Sequence, residues 1–116
     1  MSGEAVYSAV TSVEIADGVH MPCAHFLYPV GSAPELPWCV YYLDEMDGYA
    51  ADNRIIARRN NWIVEHYWKV YDENIEKALE DALEASFGAF RKTETWVESE
   101  NCMETAYYFA EIEKEG

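Results

Sequence analysis

Three groups of side chains in this 116-residue chain have types and spacings that could do chemistry. His20, Cys23 and His25 fall within six residues, and imidazole and thiolate suit zinc, with Cys39 or Cys102 available as a fourth ligand. The spacing matches no closed zinc motif. On a strand over residues 21–28, Cys23 and His25 would share a face that needs filling, so a buried thiol and a half-buried imidazole are expected, with no metal and no cofactor. Glu94, Glu98, Glu100 and Glu104 form a carboxylate cluster of the kind that divides acid and base roles when its environments push the pKa values apart. It has no accompanying nucleophile, Gly-rich phosphate loop or His-bearing motif, so it reads as the solvated end of a hairpin and no enzyme is expected. Arg54, Arg58 and Arg59 put three of the eight basic residues into six positions. On an acidic protein this is either a patch for an oriented or self-associating partner, or a solvated loop whose arginines meet Asp47 or Asp52.

The charge balance bears on all three. Twenty-two acidic against eight basic side chains give a net charge of −14. Binding a polyphosphate requires cations to displace condensed counterions, so specific or generic nucleic-acid binding is not expected. An acidic protein can instead line a channel through which DNA slides, or imitate DNA to occupy a basic partner. Three cysteines are an odd count, and residues 1–13 lack a basic start and a long apolar run. Reduced thiols in a cytoplasmic setting, with no export and no membrane span, are therefore expected.

The elements that must position these groups are legible in the spacing of large residues. Half the residues are hydrophobic, and a chain of this length buries roughly 65% of its unfolded surface, so residues 1–116 read as one domain. Trp62, Val64, His66 and Trp68 alternate with Ile63, Glu65, Tyr67 and Lys69, which predicts a strand. Ile75, Leu79, Ala82, Leu83 and Phe87 then follow at helical spacing, with Asp72 as N-cap and Gly88 as stop. A short helix over residues 4–13, a turn at Asp17-Gly18, and strands over 21–28, 38–43, 90–97 and 103–112 complete the reading. Residues 44–59 are expected to be a long connection between two strong strands, functional or mobile, with short strand extensions around 54–57. The predicted core is Trp38, Val40, Trp62, Val64, Leu79, Leu83, Trp96 and Phe109. The fold class is α+β, an antiparallel sheet of four to five strands with two helices on one face.

Several strings, in this order, carry a resemblance: Pro37-Trp38-Cys39-Val40-Tyr41-Tyr42-Leu43, Tyr49-Ala50-Ala51-Asp52-Asn53, the strand ending near Glu65-His66-Tyr67, the Glu-rich helix, and Lys92-Thr93-Glu94-Thr95-Trp96-Val97-Glu98-Ser99-Glu100 before a Tyr-rich last strand. Over residues 20–112 the chain resembles the tail-terminator, tail-completion or head-tail joining proteins of long-tailed bacteriophages and of prophages in Gram-positive bacteria. It departs from them at Glu65-His66-Tyr67-Trp68, where such proteins tend to carry Glu-Leu-Tyr-Thr, and at Cys39, where an aliphatic residue is usual. The resemblance implies a structural virion protein, assembled in the bacterial cytoplasm, that caps the tail tube as a ring, commonly hexameric, and joins it to the head. Its partners would be other copies of itself, the tail tube protein and the head connector protein. Tyr49, Asp52, Asn53, Arg54, Arg58 and Arg59 are the expected protein interface. The competing expectation is an acidic phage or bacterial inhibitor that presents DNA-like charge to a host enzyme.

Overall fold

The alternation that begins at Asn60 is the spine of the molecule. A computed structural model describes residues 3–114. Helix α1 (Glu4–Thr11) leads to a small antiparallel ribbon, β1 (Glu14–Ala16) and β2 (Val19–His20), turned at Asp17-Gly18. Strands β3 (Cys23–His25), β4 (Trp38–Ala51) and β5 (Arg54–Trp68) follow, then helix α2 (Glu73–Phe87), and strands β6 (Arg91–Val97) and β7 (Cys102–Lys114). A single 3-10 turn, Glu98–Glu100, joins the last two strands.

The main sheet runs β3-β4-β5-β7-β6. Its pairings are antiparallel except that β3 lies parallel to β4, so the sheet is mixed where a purely antiparallel one is predicted. The reason is the segment between them. Beyond His25 the chain leaves the sheet, crosses its surface and returns through a cis Leu36–Pro37 peptide to start β4 alongside β3. The predicted strand over 21–28 is accordingly reduced to three residues.

Register sorts the sheet into two faces. Cys39, His66 and Thr105 lie across from one another in one row, Tyr41, Val64 and Tyr107 in the next, and Leu43, Trp62 and Phe109 in a third. The helices bury this face: Val6, Ala9 and Val10 of α1 and Ile75, Leu79 and Leu83 of α2 join those residues and Met21 in one core. Leu79, Leu83, Val6, Val10, Val64 and Tyr107 are fully buried.

Local chemistry sets the helix ends. Asp72 Oδ1 accepts from the backbone N–H groups of Asn74 (2.9 Å) and Ile75 (3.2 Å), meeting two of the donors a helix leaves open at its start. Gly88, at φ +83°, donates its N–H to the Glu84 carbonyl and ends the helix. Lys92 of β6 reaches Glu80 (2.8 Å) and Glu76 (3.4 Å), and the Tyr107 hydroxyl donates to Glu80 (2.9 Å), tying α2 to the sheet. Gly3 opens α1 at φ +72°, where a Cβ would stand 2.8 Å from Tyr41 Cε2 and 3.0 Å from Trp62 Cη2. Only glycine meets both the backbone and the space.

Two of the predicted core positions need correction. Trp96 lies at the outer strand and is 51% exposed, because α2 does not extend over that corner. Trp38, half-buried, shares with buried Val40 the face turned away from the helices, under the chain that leads from β3 to β4. Cys39, Met21, Val6, Val10 and Tyr107 take the inner places.

Candidate interaction surface

Residues 44–59 are not a connection. They are the outer half of a hairpin in which β4 and β5 stay paired from Trp38↔Tyr67 to Ala51↔Arg54. Asp52 (φ +52°) and Asn53 (φ +65°) form its two-residue turn, and both have the left-handed backbone that a type I′ turn requires, which Asp and Asn tolerate best after glycine. Two register shifts, after Leu43 and after Tyr49, bend the ribbon. Among the described residues the last pair of β5 with β7 is Ala57↔Lys114, and the ribbon extends about 13 Å beyond that pair, at about 3.3 Å per residue.

All six of the residues expected at an interface, Tyr49, Asp52, Asn53, Arg54, Arg58 and Arg59, sit on this arm, and all but the half-buried Arg58 are exposed. Apolar neighbours accompany them: Tyr49 is 50% exposed, Ile56 43% and Ile55 38%. Ile55 packs over Gly48, where a Cβ would come within 3.1 Å of it. Arg59 donates through Nε to Asn61 Oδ1 (3.2 Å), and Asn61 in turn donates to Asp47 (3.4 Å), so the Asn61 amide links Arg59 to Asp47. Asn60 anchors the base of the arm, donating to Glu111 and Glu113, while Trp62 Nε1 donates to Glu111 at 3.1 Å.

The other sequence-level candidates are dispersed. Cys23 and Cys39 are register neighbours in the parallel pair, and burial pushes the Cys23 thiol up to about 12 and the Cys39 thiol well above its usual range. His20 Nδ1 lies 2.8 Å from the Thr11 carbonyl, and the His25 ring tilts against Tyr41. No group of three or more potential ligands suited to a metal ion occurs among the described residues. The carboxylate cluster also separates. Glu94 pairs with Thr105 on the helix side of the sheet, and Glu104 pairs with Tyr67 on the opposite side.

There Glu104 meets a partner that sequence reasoning missed. The Tyr67 hydroxyl bridges Glu65 (2.8 Å) and Glu104 (2.9 Å), and the Tyr42 hydroxyl donates to Glu65 (2.7 Å). Burial and the charge of Glu65 raise the Glu104 carboxyl, while the Tyr67 hydrogen bond pulls it down. Burial and the two carboxylates raise the Tyr67 phenol. Tyr42 and Tyr67 donate to these carboxyl groups, and Glu65 and Glu104 also share a side-chain hydrogen bond, which helps raise Glu104. Beside them the chain between β3 and β4 roofs a groove of about 660 Å³, lined by Phe26, Leu27, Val30, Trp38, Val40 and Tyr67 with Glu65 and Glu100 at its margin. Alternation along β5 and β7 was the available signal, but Glu65 and Glu104 meet only once the register is known.

His66 was likewise passed over as an inward strand residue. It is 4% exposed, and neither ring nitrogen has a hydrogen-bond partner among the described residues. Burial lowers it to about 4, with Glu76 acting weakly in the opposite direction. No helix among the described residues is long and apolar enough to cross a membrane. The chain matches no protein-family model and no curated protein.

Proposed function

We propose that this chain is a structural tail-completion protein of a phage or prophage, which assembles head to tail into a ring at the end of the tail tube and presents that ring to the head connector. The observation that carries the reading is the β4–β5 arm. It projects basic and apolar side chains away from a molecule of net charge −14. A closed ring needs two different, complementary surfaces on each protomer, and a cationic, apolar projection on an acidic body is one half of such a pair. The remaining acid surplus suits a lumen through which DNA must pass without adhering. The order of strings shared with tail-completion proteins supports the same role. An inhibitor imitating DNA fits less well, since three arginines on the most prominent projection would interrupt a phosphate-like surface.

The test is complementation of a phage lacking the gene with the double variant Arg58→Glu, Arg59→Glu. The fold and melting temperature are expected to stay near wild type, while rings, or the joining of tails to heads, are lost on electron micrographs. Normal-length tails joined to full heads would reject the reading.

A further inference from the structure

The arm is one half of a contact, and the same chain carries a fitting other half. We propose that the arm tip of one copy inserts into the aromatic groove of a second copy, with the Arg54 guanidinium meeting the Glu65–Glu104 carboxylates and Tyr49, Ile55 and Ile56 covering Phe26, Leu27 and Val30. This rests on the ring reading and names the surface that receives the arm.

Complementarity is both apolar and ionic. Phe26, Leu27 and Val30 are 62%, 55% and 106% exposed, an uncovered rim around the groove, and the tip supplies three exposed apolar side chains of its own. The groove volume, about 660 Å³, lies in the range that encloses a few large side chains. Two half-buried carboxyl groups held side by side at the Tyr67 hydroxyl present adjacent acceptor oxygens, and a planar guanidinium with paired donors is the group best shaped to meet them. Arg54 is exposed at the turn, and its side chain makes no ion pair or hydrogen bond among the described residues.

The contact cannot form within one chain. Val40, in the groove, and Ala51, at the tip, lie near opposite ends of one strand, about 36 Å apart at about 3.3 Å per residue. Tip and groove therefore join different copies, and each copy keeps one of each unused for the next. That is a heterologous contact, which closes into a ring or continues as a filament.

The experiment uses two variants of exposed residues, a tip variant (Ile55→Asp, Ile56→Asp) and a groove variant (Leu27→Asp, Val30→Asp), each checked by circular dichroism for an unchanged fold. Sedimentation equilibrium is run on each alone, on an equimolar mixture, and on wild type up to about 1 mM, the limit of weak specific association. Wild type is expected to assemble beyond dimers, and each variant to weaken assembly by roughly 10-fold or more, as loss of a central contact does. The mixture should stop at a one-to-one dimer, because one good tip meets one good groove and nothing remains to extend it. Arg54→Glu should weaken wild-type assembly and reduce its salt sensitivity. Variants that assemble as wild type does would overturn this contact and leave the ring reading standing. Wild type that stays monomeric throughout would overturn both. A head-to-tail dimer in the mixture, together with normal virions from the arginine double variant, would uphold the contact and reject the tail role.

Discussion

His66 ties stability to pH in a direction that can be calculated. In the folded chain the ring is buried between α2 and the sheet without a hydrogen bond to any of the described residues, and its pKa falls from 6.5 to about 4. The unfolded chain takes up a proton as pH drops through 6.5, and the folded chain refuses it until about 4. The unfolded state thus binds more protons across that window, and stability decreases as pH falls. The difference of about 2.5 units corresponds to about 3 kcal/mol at the bottom of the window, a large share of the 5–15 kcal/mol that holds a small domain together. Replacing His66 with Leu removes the titration and two unsatisfied polar atoms, so the variant should equal or exceed wild type at pH 7.5, and the gap should widen by about 2.5 kcal/mol by pH 4.5. The raised Glu104 carboxyl works in the opposite sense, gaining stability as it protonates, but both proteins share it and it cancels in the difference. Urea unfolding of both proteins at about pH 7.5, 6.5, 5.5 and 4.5, which covers most of the window, reads the effect directly. Parallel pH profiles for the two would show that His66 is solvated or hydrogen-bonded, and the burial reasoning would fail.

Three further outcomes are expected. Leu79→Ala should lose about 2–5 kcal/mol in chemical denaturation, since Leu79 of α2 is fully buried in the core, and a loss below about 0.5 kcal/mol would take the helix out of the core. Gly3→Ala should lower stability by about 2 kcal/mol, combining the positive φ with the approach to Tyr41 and Trp62, and an unchanged melting temperature would refute that packing. A fluorescent DNA duplex at moderate salt should show no saturable binding to the wild-type chain, while micromolar affinity falling steeply with salt would contradict the charge argument.

What the sequence determined by itself was local. Helix α2 was legible because its cap, its apolar stripe and its glycine stop are short-range signals, and the inner half of β5 because Trp62 to Trp68 alternate so regularly. The α+β class followed from those two periods meeting at residues 69–72. The residues of the expected interface were identified from the arginine cluster and from the string at Tyr49, but their shape was misread, and tertiary structure decided it. Asp47, Gly48 and Asp52 are poor strand residues on their own, and they become strand and turn because β5 lies opposite and supplies the hydrogen bonds. The parallel β3, the exposure of Trp96 and the distribution of Glu94 and Glu104 to opposite faces depend on which strand stands beside which. The Glu65–Tyr67–Glu104 bridge joins residues up to 39 positions apart, and the groove beside it joins residues farther apart still, through a register in which a one-residue slip would exchange every side chain between the faces. Sequence spacing specifies the period of a strand, but its partner and register are set by long-range burial of the helix-covered face, where the small gains of many contacts select a single alignment.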